Sequence, residues 1–233
     1  MRTSPLQPFG DGLWICDGPR VRLLTIPFAT RMTVVETTPG SLWVHSPFDP
    51  TPGVGEAVDA LGTVRWIVAP NKIHSLGVVP WKERYPEAEV WVSPGFRDRH
   101  PKLPADHVIG TGETPAWADA IEAHVFQGNV ILDEVVFFHA RSKALILTDL
   151  IQRHDPALES WFWRLVKGWV GVLGDSGGTA RDLRSTFRDR DAARVSAEAL
   201  LRWDFDRVVI SHGSCITQDT RATVERAFAW ALA

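Results

Sequence analysis

Four apolar stretches of the chain each end in a histidine or an aspartate. "SLWV" is followed by His45, "RWIVAPNKI" by His74, "ALILT" by Asp149 and "RVVIS" by His212. Functional side chains are commonly carried by loops at strand ends, where a rigid sheet fixes their positions. Imidazole nitrogens and carboxylate oxygens are ligands that zinc, iron and manganese accept from proteins. The pattern therefore predicts a metal site built from residues far apart in sequence.

Each of these residues also has a structural interpretation. Asp149 could cap a following turn, because short polar side chains hydrogen-bond readily to nearby backbone groups. His74 and His212 could be hydrogen-bonded residues at a sheet edge, and His45 could have a purely structural role. The other five histidines show no partner pattern and are assigned no function: His100, His107, His124, His139 and His154.

The elements that would position these residues alternate between strands and short helices in the first half of the chain. "TRMTVVET" and "SLWVHSP" predict strands joined by a hairpin at "TPG". "GVGEAVDALG" has the apolar spacing of a short helix ended by Gly62. "TVRWIVAP" and "AEVWVSPG" predict two more strands, with "WKERYPEA" between them as a short helix or turn. The alternation indicates parallel pairing in part of a sheet.

The second half begins with a loop-like stretch, residues 94–117, and returns to strands in "IEAHVFQG", "DEVVFFHA" and "KALILTDL", with a hairpin turn at "ARSK". "DPALESWFWRLVKGWVGVLG" predicts a helix that starts with Asp155 as its N-cap and proline at its first position. Its apolar stripe, which includes the tryptophans between Trp161 and Trp169, would pack on the core or cover the pocket. A helix, the strand "FDRVVISHG" and a closing helix follow, so the fold class is α/β or α+β.

Composition limits the possible partners and location. The 233 residues suit one domain, and 25 basic against 28 acidic residues give a net charge of −3 without a run of five like charges. Neither a nucleic acid nor a membrane is therefore expected as a partner. Two cysteines, Cys16 and Cys215, fit a reducing compartment, and the first residues lack the apolar segment of a signal peptide. We expect a cytoplasmic protein.

The order of four segments resembles the metallo-β-lactamase superfamily, and within it the branch with a DUF4336-type domain. These segments are "LWVHSP", "IVAPNKIHSLG", "LILTDLI" and "VVISHG", and the resemblance covers residues 13–216. It implies a four-layer αββα sandwich formed by a single domain, residues 1–233, with a helical insertion at about 155–202. "TRMTVVET", "SLWVHSP" and "TVRWIVAP" would lie in one sheet. "DEVVFFHA", "KALILTDL" and "DRVVISHG" would lie in the other.

The resemblance also implies a reduced metal site. The family's first loop reads His-x-His-x-Asp-His, and here only its last position keeps a ligand, His74; the others are Ala69, Asn71 and Ile73. Asp149 matches the aspartate that bridges two metals in the family, and His212 matches the last histidine. A further histidine is expected near Asn129 and Val130, where none stands. One metal site is thus lost, and the other keeps two histidines and one carboxylate.

We therefore expect His74, Asp149 and His212 to hold at most one divalent ion, zinc, iron or manganese, if any. His45, Asn71 or Glu134 could complete the site, and Arg31 and Lys72 could hold an anionic substrate or be solvated surface charges. The implied function is a metal-dependent hydrolase with an unknown small-molecule substrate. The alternative is a catalytically silent binding or scaffold protein that kept the fold and lost the metal; a one-metal oxidoreductase or dioxygenase comes third.

Overall fold

Two β-sheets and a separate hairpin make up the framework of the protein. The structure, a computed structural model, describes residues 4–23 and 25–233. The strands in chain order are β1 (Gln7–Gly10), β2 (Leu13–Asp17), β3 (Val21–Leu23), β4 (Ile26–Phe28), β5 (Arg31–Thr38), β6 (Ser41–His45), β7 (Thr63–Ala69), β8 (Glu89–Val92), β9 (His107–Val108), β10 (Ile121–Val125), β11 (Val135–His139), β12 (Ala144–Leu147) and β13 (Arg207–Ile210).

The first sheet has the order β1-β2-β5-β6-β7-β8-β9 and the second has the order β10-β11-β12-β13. Strands β5 and β6 form the antiparallel hairpin predicted at "TPG", and β6, β7 and β8 pair in parallel. In the second sheet β11 and β12 form the hairpin predicted at "ARSK", and β12 and β13 are parallel. The predicted division of six strands between two sheets is therefore confirmed. Strands β3 and β4 form a hairpin of their own.

The helices occupy the outer layers and the segments near the site. They are α1 (Pro52–Asp59), α2 (Val78–Arg84), α3 (Phe96–Arg99), α4 (Trp161–Val170), α5 (Arg181–Ser185), α6 (Arg190–Leu201) and α7 (Thr220–Leu232). Three of them, α4 to α6, lie in residues 155–202. Short 3-10 turns cover Pro156–Leu158 and Gly174–Ser176.

Three apolar layers show that the molecule is the predicted αββα sandwich. Side chains of α1 and α2, such as Val58 and Trp81, pack on one face of the first sheet. Side chains of α6 and α7, such as Phe228, pack on the outer face of the second sheet. Between the sheets lies a third cluster that includes Trp43 and Phe137. Alternate residues of a strand point to opposite faces, so β6 contributes to two of these layers.

Several predicted element boundaries need correction. The short helix α1 ends at Asp59 rather than at Gly62. The stretch predicted as a loop, residues 94–117, contains α3 and β9. Asp155 does cap a turn, since its side chain accepts a hydrogen bond from Ala157 N, but this is a 3-10 turn. The α-helix begins only at Trp161, where the Ser160 side chain accepts a hydrogen bond from Trp163 N.

The apolar stripe of α4 also faces the other way from either prediction. Trp161, Leu165 and Trp169 are exposed, and the residue of α4 that is buried is Lys167. None of the three apolar side chains lines the pocket described below. The periodicity of the stripe predicted a helix correctly, but periodicity does not say which side of a helix meets the protein.

Candidate metal centre

The three candidate ligand side chains meet where strands of the two sheets end. His74 follows β7, Asp149 follows β12 and His212 follows β13. His74 Nε2 lies 3.1 Å from Asp149 Oδ2, and His212 Nε2 lies 3.1 Å from Asp149 Oδ1. All three ligand atoms lie within 4.8 Å of one another. The structure thus brings together the three residues proposed from the sequence as a metal-binding set, and it buries them almost completely.

The His74 ring is oriented by a serine that follows β6. Ser46 Oγ lies 2.5 Å from His74 Nδ1, which leaves Nε2 to face Asp149. Ser46 has a φ of 52°, in the left-handed region that few residues other than glycine adopt. Backbone in this region is costly and is often kept at functional sites. Sequence reasoning emphasised His45 at this strand exit and overlooked the serine beside it, which carries the contact.

Asp149 is held by the side-chain amide of Asn71. Asn71 Nδ2 donates to Asp149 Oδ2 at 2.7 Å and to Thr148 Oγ1 at 3.0 Å. Its Oδ1 accepts hydrogen bonds from the backbone N–H groups of Ile73 and His74, so the amide orientation is fixed by its partners. Asn71 therefore links the loop that carries His74 to the loop that carries Asp149. It was predicted as a possible extra ligand, but both of its polar atoms are already in use.

Glu134 holds the backbone of the Asp149 loop through hydrogen bonds. Its carboxylate accepts hydrogen bonds from the backbone N–H groups of Thr148, Asp149 and Leu150, at 2.7, 2.9 and 3.2 Å. Burial, followed by the Asp149 charge, raises the pKa of Glu134 to about 8, against the hydrogen bonds that lower it. Glu134 was predicted as another possible ligand. The structure shows it fixing the backbone that presents Asp149, outside the group of three.

His212 is fixed through its other ring nitrogen and through the turn that follows it. Its Nδ1 lies 2.6 Å from Ala29 O, so this nitrogen carries the proton and Nε2 faces Asp149. Gly213 has a φ of 111°, and a Cβ there would collide with the Arg153 carbonyl. Arg31 donates to the carbonyl oxygens of Ile210 and Gly213 on either side of His212.

The charges of the centre are mutually dependent. Burial would raise the pKa of Asp149, but the adjacent His74 and His212 hold it well below its usual value. Burial lowers the pKa of His212, yet its hydrogen bond to Asp149 and the carboxylate charge outweigh burial and raise it overall. A carboxylate between two imidazoles is therefore compensated either by a proton on the rings or by a cation bound to all three.

A single metal ion fits this donor set. Each histidine has its Nδ1 occupied, by Ser46 or by Ala29 O, and directs Nε2 at the shared carboxylate. Such partners on the second nitrogen are the usual support of metal-binding histidines. Two imidazoles and one carboxylate leave open positions on a divalent ion. Among residues 4–23 and 25–233, no second group of three such side chains has this spacing.

An open pocket of about 140 Å³ leads to the three ligands. The β3–β4 hairpin forms one wall, with Val21, Leu23 and Phe28, and the loops after β6 and β7 form the other, with Phe48 and Leu76. The lining is mostly apolar. Sites for drug-sized ligands occupy roughly 300–1,000 Å³, so this pocket suits a small group or the reacting end of a larger molecule.

His45 lies in the layer between the sheets and not in the metal centre. Its ring stacks on Trp43 at 5.2 Å and meets the edge of Phe137 at 5.4 Å. Neither ring nitrogen has a hydrogen-bond partner among the described residues. Burial, followed by the nearby His74, lowers the pKa of His45 well below its usual value, so the ring is neutral. The predicted role as a completing ligand does not fit this placement.

The two cations proposed for substrate binding are engaged elsewhere. Arg31 holds the turn around His212 and pairs with Asp17 at 2.7 Å. Lys72 pairs with Asp133 at 2.6 Å. Neither lines the pocket, whereas Arg22 of the β3–β4 hairpin does. Arg22 was missed because nothing in the sequence places that hairpin over the site.

A second buried polar cluster adjoins the centre and was also missed. Lys167 of α4 contacts Glu159 at 2.9 Å, His154 Nδ1 at 3.2 Å and Pro27 O at 2.6 Å. Arg20 also pairs with Glu159. These contacts attach α4 to the β3–β4 hairpin.

The His154 ring stacks parallel to that of His212 at 6.3 Å. Burial, with Lys167 as the next cause, lowers the pKa of His154 to about 3.

Comparison with family models identifies the chain. The model described as "Domain of unknown function (DUF4336)" matches residues 11–158, more than half of the sequence. The chain belongs to the DUF4336 family. No curated protein matches it. The matched range contains His74 and Asp149, whereas His212 and helices α4 to α7 lie beyond it.

Solved structures show that this DUF4336 protein has the metallo-β-lactamase fold. A metallo-beta-lactamase from Erythrobacter litoralis is 13% identical, with 99% of this chain and 98% of that chain covered and a TM-score of 0.68. One from Pontibacter korlensis is 15% identical, with 97% of each chain covered and a TM-score of 0.65. The enzyme FIM-1 from Pseudomonas aeruginosa, in its mono-zinc form, is 12% identical, with 98% and 96% covered and a TM-score of 0.64.

This chain thus shares its fold with these proteins along nearly its whole length, although the sequence identity is low.

None of the described helices is both long and apolar enough to cross a membrane.

Proposed function

We propose that this protein is a hydrolase that uses one divalent metal ion held by His74, Asp149 and His212. The observation that carries the proposal is the convergence of the two Nε2 atoms on the two oxygens of a single buried carboxylate. Zinc is the first candidate, since its common ligands are imidazole nitrogens and carboxylate oxygens and one structural neighbour is a mono-zinc form. A bound divalent ion polarises a carbonyl or phosphoryl oxygen and lowers the pKa of bound water.

The protein's own residues contribute orientation. Ser46 and the Ala29 carbonyl fix the two rings, Asn71 fixes the carboxylate, and Glu134 fixes its backbone. The Ala69, Asn71 and Ile73 positions offer no histidine or aspartate for a second ion, so the proposed enzyme works with one. The mostly apolar pocket favours an ester, thioester or lactone with an apolar group beside the bond that breaks.

The test is hydrolysis of a panel of short-chain esters, thioesters and lactones by protein loaded with zinc, manganese or iron. We expect turnover that requires added metal and is lost in His74→Ala and His212→Ala. His100→Ala is the control, because His100 bonds to the Lys72 carbonyl outside the centre. Metal binding without turnover of any panel member would favour a silent binding protein.

A second candidate function rests on Ser46. Its hydroxyl, His74 and Asp149 form a continuous row, Oγ to Nδ1 at 2.5 Å and Nε2 to Oδ2 at 3.1 Å. A serine, a histidine and an aspartate in this order can transfer an acyl group without metal. Ser46 Oγ would attack the acyl carbon and pass its proton to His74 Nδ1, and then to the leaving alcohol. Water would then release the acid and restore the serine.

Chelation separates the two candidates. Labelling of Ser46 by a fluorophosphonate probe, together with ester hydrolysis in excess chelator, would support the serine mechanism; Ser46→Ala should abolish both. The metal-dependent proposal predicts that the chelated protein is inactive and unlabelled. Under that proposal Ser46→Ala lowers metal affinity by about 10- to 100-fold, the usual effect of losing a partner of a ligand histidine.

We also propose a cytoplasmic location for this hydrolase. Cys16 and Cys215 are both free, and Cys16 is buried. Burial raises the pKa of the Cys16 thiol to about 11, which keeps it protonated and unreactive. Two unpaired cysteines fit a reducing compartment. Fractionation of cells that express the protein, followed by immunoblotting, would test the location.

A further inference from the structure

Helix α4 presents an apolar face to solvent. Trp161, Leu165 and Trp169 are 78%, 68% and 70% exposed and follow one another at intervals of four residues. Phe162 of α4 and Leu158 of the preceding 3-10 turn are also exposed, at 48% and 63%. Soluble proteins carry scattered exposed apolar residues, but a contiguous set of large ones usually marks an interaction surface. We call these five residues the α4 face.

The contacts on the opposite side of the helix keep the α4 face outward. Lys167 is buried and donates to Pro27 O, and it pairs with Glu159, which Arg20 also contacts. Rotating the helix to bury the tryptophans would expose this pair or leave its charges unpaired in the interior. A charge left unpaired in the interior is strongly destabilising. The buried contacts of Lys167 therefore determine which side of α4 faces solvent.

Three exposed arginines lie on or beside helix α4. Within residues 158–173 the only acidic residue is Glu159, which is buried and shared by two cations. Arg164 is exposed on the helix, and Arg20 and Arg22 are exposed on the neighbouring segment. Exposed tryptophan, phenylalanine and leucine with arginine beside them is the composition of helices that lie in the surface of a bilayer.

We propose that the α4 face docks on the surface of an anionic phospholipid bilayer. The apolar side chains would enter the boundary between headgroups and acyl chains, and the arginines would meet lipid phosphates. A second copy of the chain fits less well. In a twofold contact through α4 both copies would present Arg164, and neither helix has an exposed carboxylate to pair with it.

The β3–β4 hairpin lies between the α4 region and the pocket. Val21 and Arg22 line both the pocket that leads to Asp149 and a groove beside Ser160 and Trp163 of the α4 region. Leu23 and Leu76 of the pocket wall are themselves exposed. A docked helix would thus bring the pocket mouth close to the lipid. The net charge of the chain gave no reason to expect a membrane partner; the local arrangement of side chains does.

The experiment is co-sedimentation of the full chain with vesicles of phosphatidylcholine alone or mixed with phosphatidylglycerol. We expect partition into the anionic vesicles that weakens as salt rises. Trp161→Ser/Trp169→Ser should reduce it by at least about tenfold, and Arg164→Gln by roughly fivefold. Val195→Ser and Arg99→Gln are matched controls, since both residues are exposed on other helices, and they should change nothing.

Three results would overturn the proposal. The first is that the wild type does not bind either vesicle. The second is equal loss in the controls and in the α4 variants. The third is a concentration-dependent dimer, seen by analytical ultracentrifugation, that the tryptophan variant abolishes while vesicle binding stays unchanged; this would assign the α4 face to a second copy. None of these measurements depends on metal or turnover, so they fail or succeed independently of the proposed hydrolase.

Discussion

The strand-end loops and helix α4 both bury polar side chains, but α4 also exposes several large apolar ones. In the loops, Asn71, Asp149 and His212 are buried, and both Asn71 and His212 contact the Asp149 carboxylate. In α4, Lys167 is buried and paired while Trp161 and Trp169 face solvent. In both places a buried polar side chain bonds to a distant part of the chain: Asn71 to Asp149, and Lys167 to the Pro27 carbonyl. The difference is that the loops converge on one another, whereas α4 leaves an apolar face without a partner within the described structure.

The contrast shows what a buried charge does in each region. In the loops the Asp149 carboxylate lies between two imidazole rings, where a bound cation would neutralise its charge. Under α4 the charges of Lys167 and Glu159 neutralise each other, and their contacts hold the helix on the protein. Removal of a group should therefore affect ligand binding in the first region and stability in the second. The predictions below test that division, beginning with the largest effect.

Lys167→Met should destabilise the protein by about 3 kcal/mol, because it leaves the buried Glu159 carboxylate with Arg20 as its only cation. Denaturant unfolding of wild type and variant measures the change. Lys102→Met is the control, since Lys102 is exposed and should alter stability by less than about 0.5 kcal/mol. Similar values for the two variants would mean that the Lys167 pair does not anchor α4.

Asn71→Ala should weaken metal binding by about 10- to 100-fold, because the amide that orients Asp149 is lost. Asn129→Ala is a matched control: Asn129 also bonds to backbone N–H groups of its own loop, but it contacts Thr186 and not Asp149. A metal titration of both variants gives the comparison. An equal effect on affinity would show that Asn71 acts through general stability.

Metal affinity should fall as pH decreases, by about tenfold per pH unit for each proton that must leave. Although burial lowers the pKa of His212, its hydrogen bond to Asp149 and the carboxylate charge raise it overall, so the fall should begin at a higher pH than for an unperturbed histidine. Titrations between about pH 6 and 8.5 in buffers of different ionisation enthalpy would count the released protons. Affinity that does not change over this range would contradict a ligand role for His212.

Trp161→Ser should change the free energy of unfolding by less than about 0.5 kcal/mol. The Trp161 side chain is largely exposed, so its removal takes away few packing contacts. Trp81→Ser, at a fully buried position on α2, should cost about 3–5 kcal/mol. Thermal and denaturant unfolding of the pair give both values. A large loss for Trp161 would place it in the core and remove the α4 face.

The fold was predictable from the sequence because its strands follow simple rules. Alternating or β-branched runs gave the strands, and turn residues gave the two hairpins at "TPG" and "ARSK". The order of the motifs then selected the sandwich. The start of α4 was wrong because Asp155 and Pro156 are equally good signals for a 3-10 turn. The direction of its apolar face was wrong because burial depends on Pro27 and Glu159, which no local pattern reveals.

The convergence of the three candidate ligands could be predicted from the sequence, but the residues that surround them could not. His74, Asp149 and His212 follow strands, so the sheet order brings them together. Asn71 and Glu134 were named, but as ligands rather than as supports of Asp149. Ser46 and Arg22 were missed, since their roles depend on the backbone geometry after β6 and on the position of the β3–β4 hairpin.

The most direct test of the metal centre is the number of ions that each chain binds. Elemental analysis and a metal titration of wild type, His74→Ala and Asp149→Ala provide it. We predict one divalent ion per wild-type chain, with binding lost in Asp149→Ala, whose two oxygens face both histidines. Two ions per chain would contradict the single-site account. No binding at millimolar metal would contradict the metal-dependent enzyme and leave the catalytically silent protein or the Ser46 mechanism.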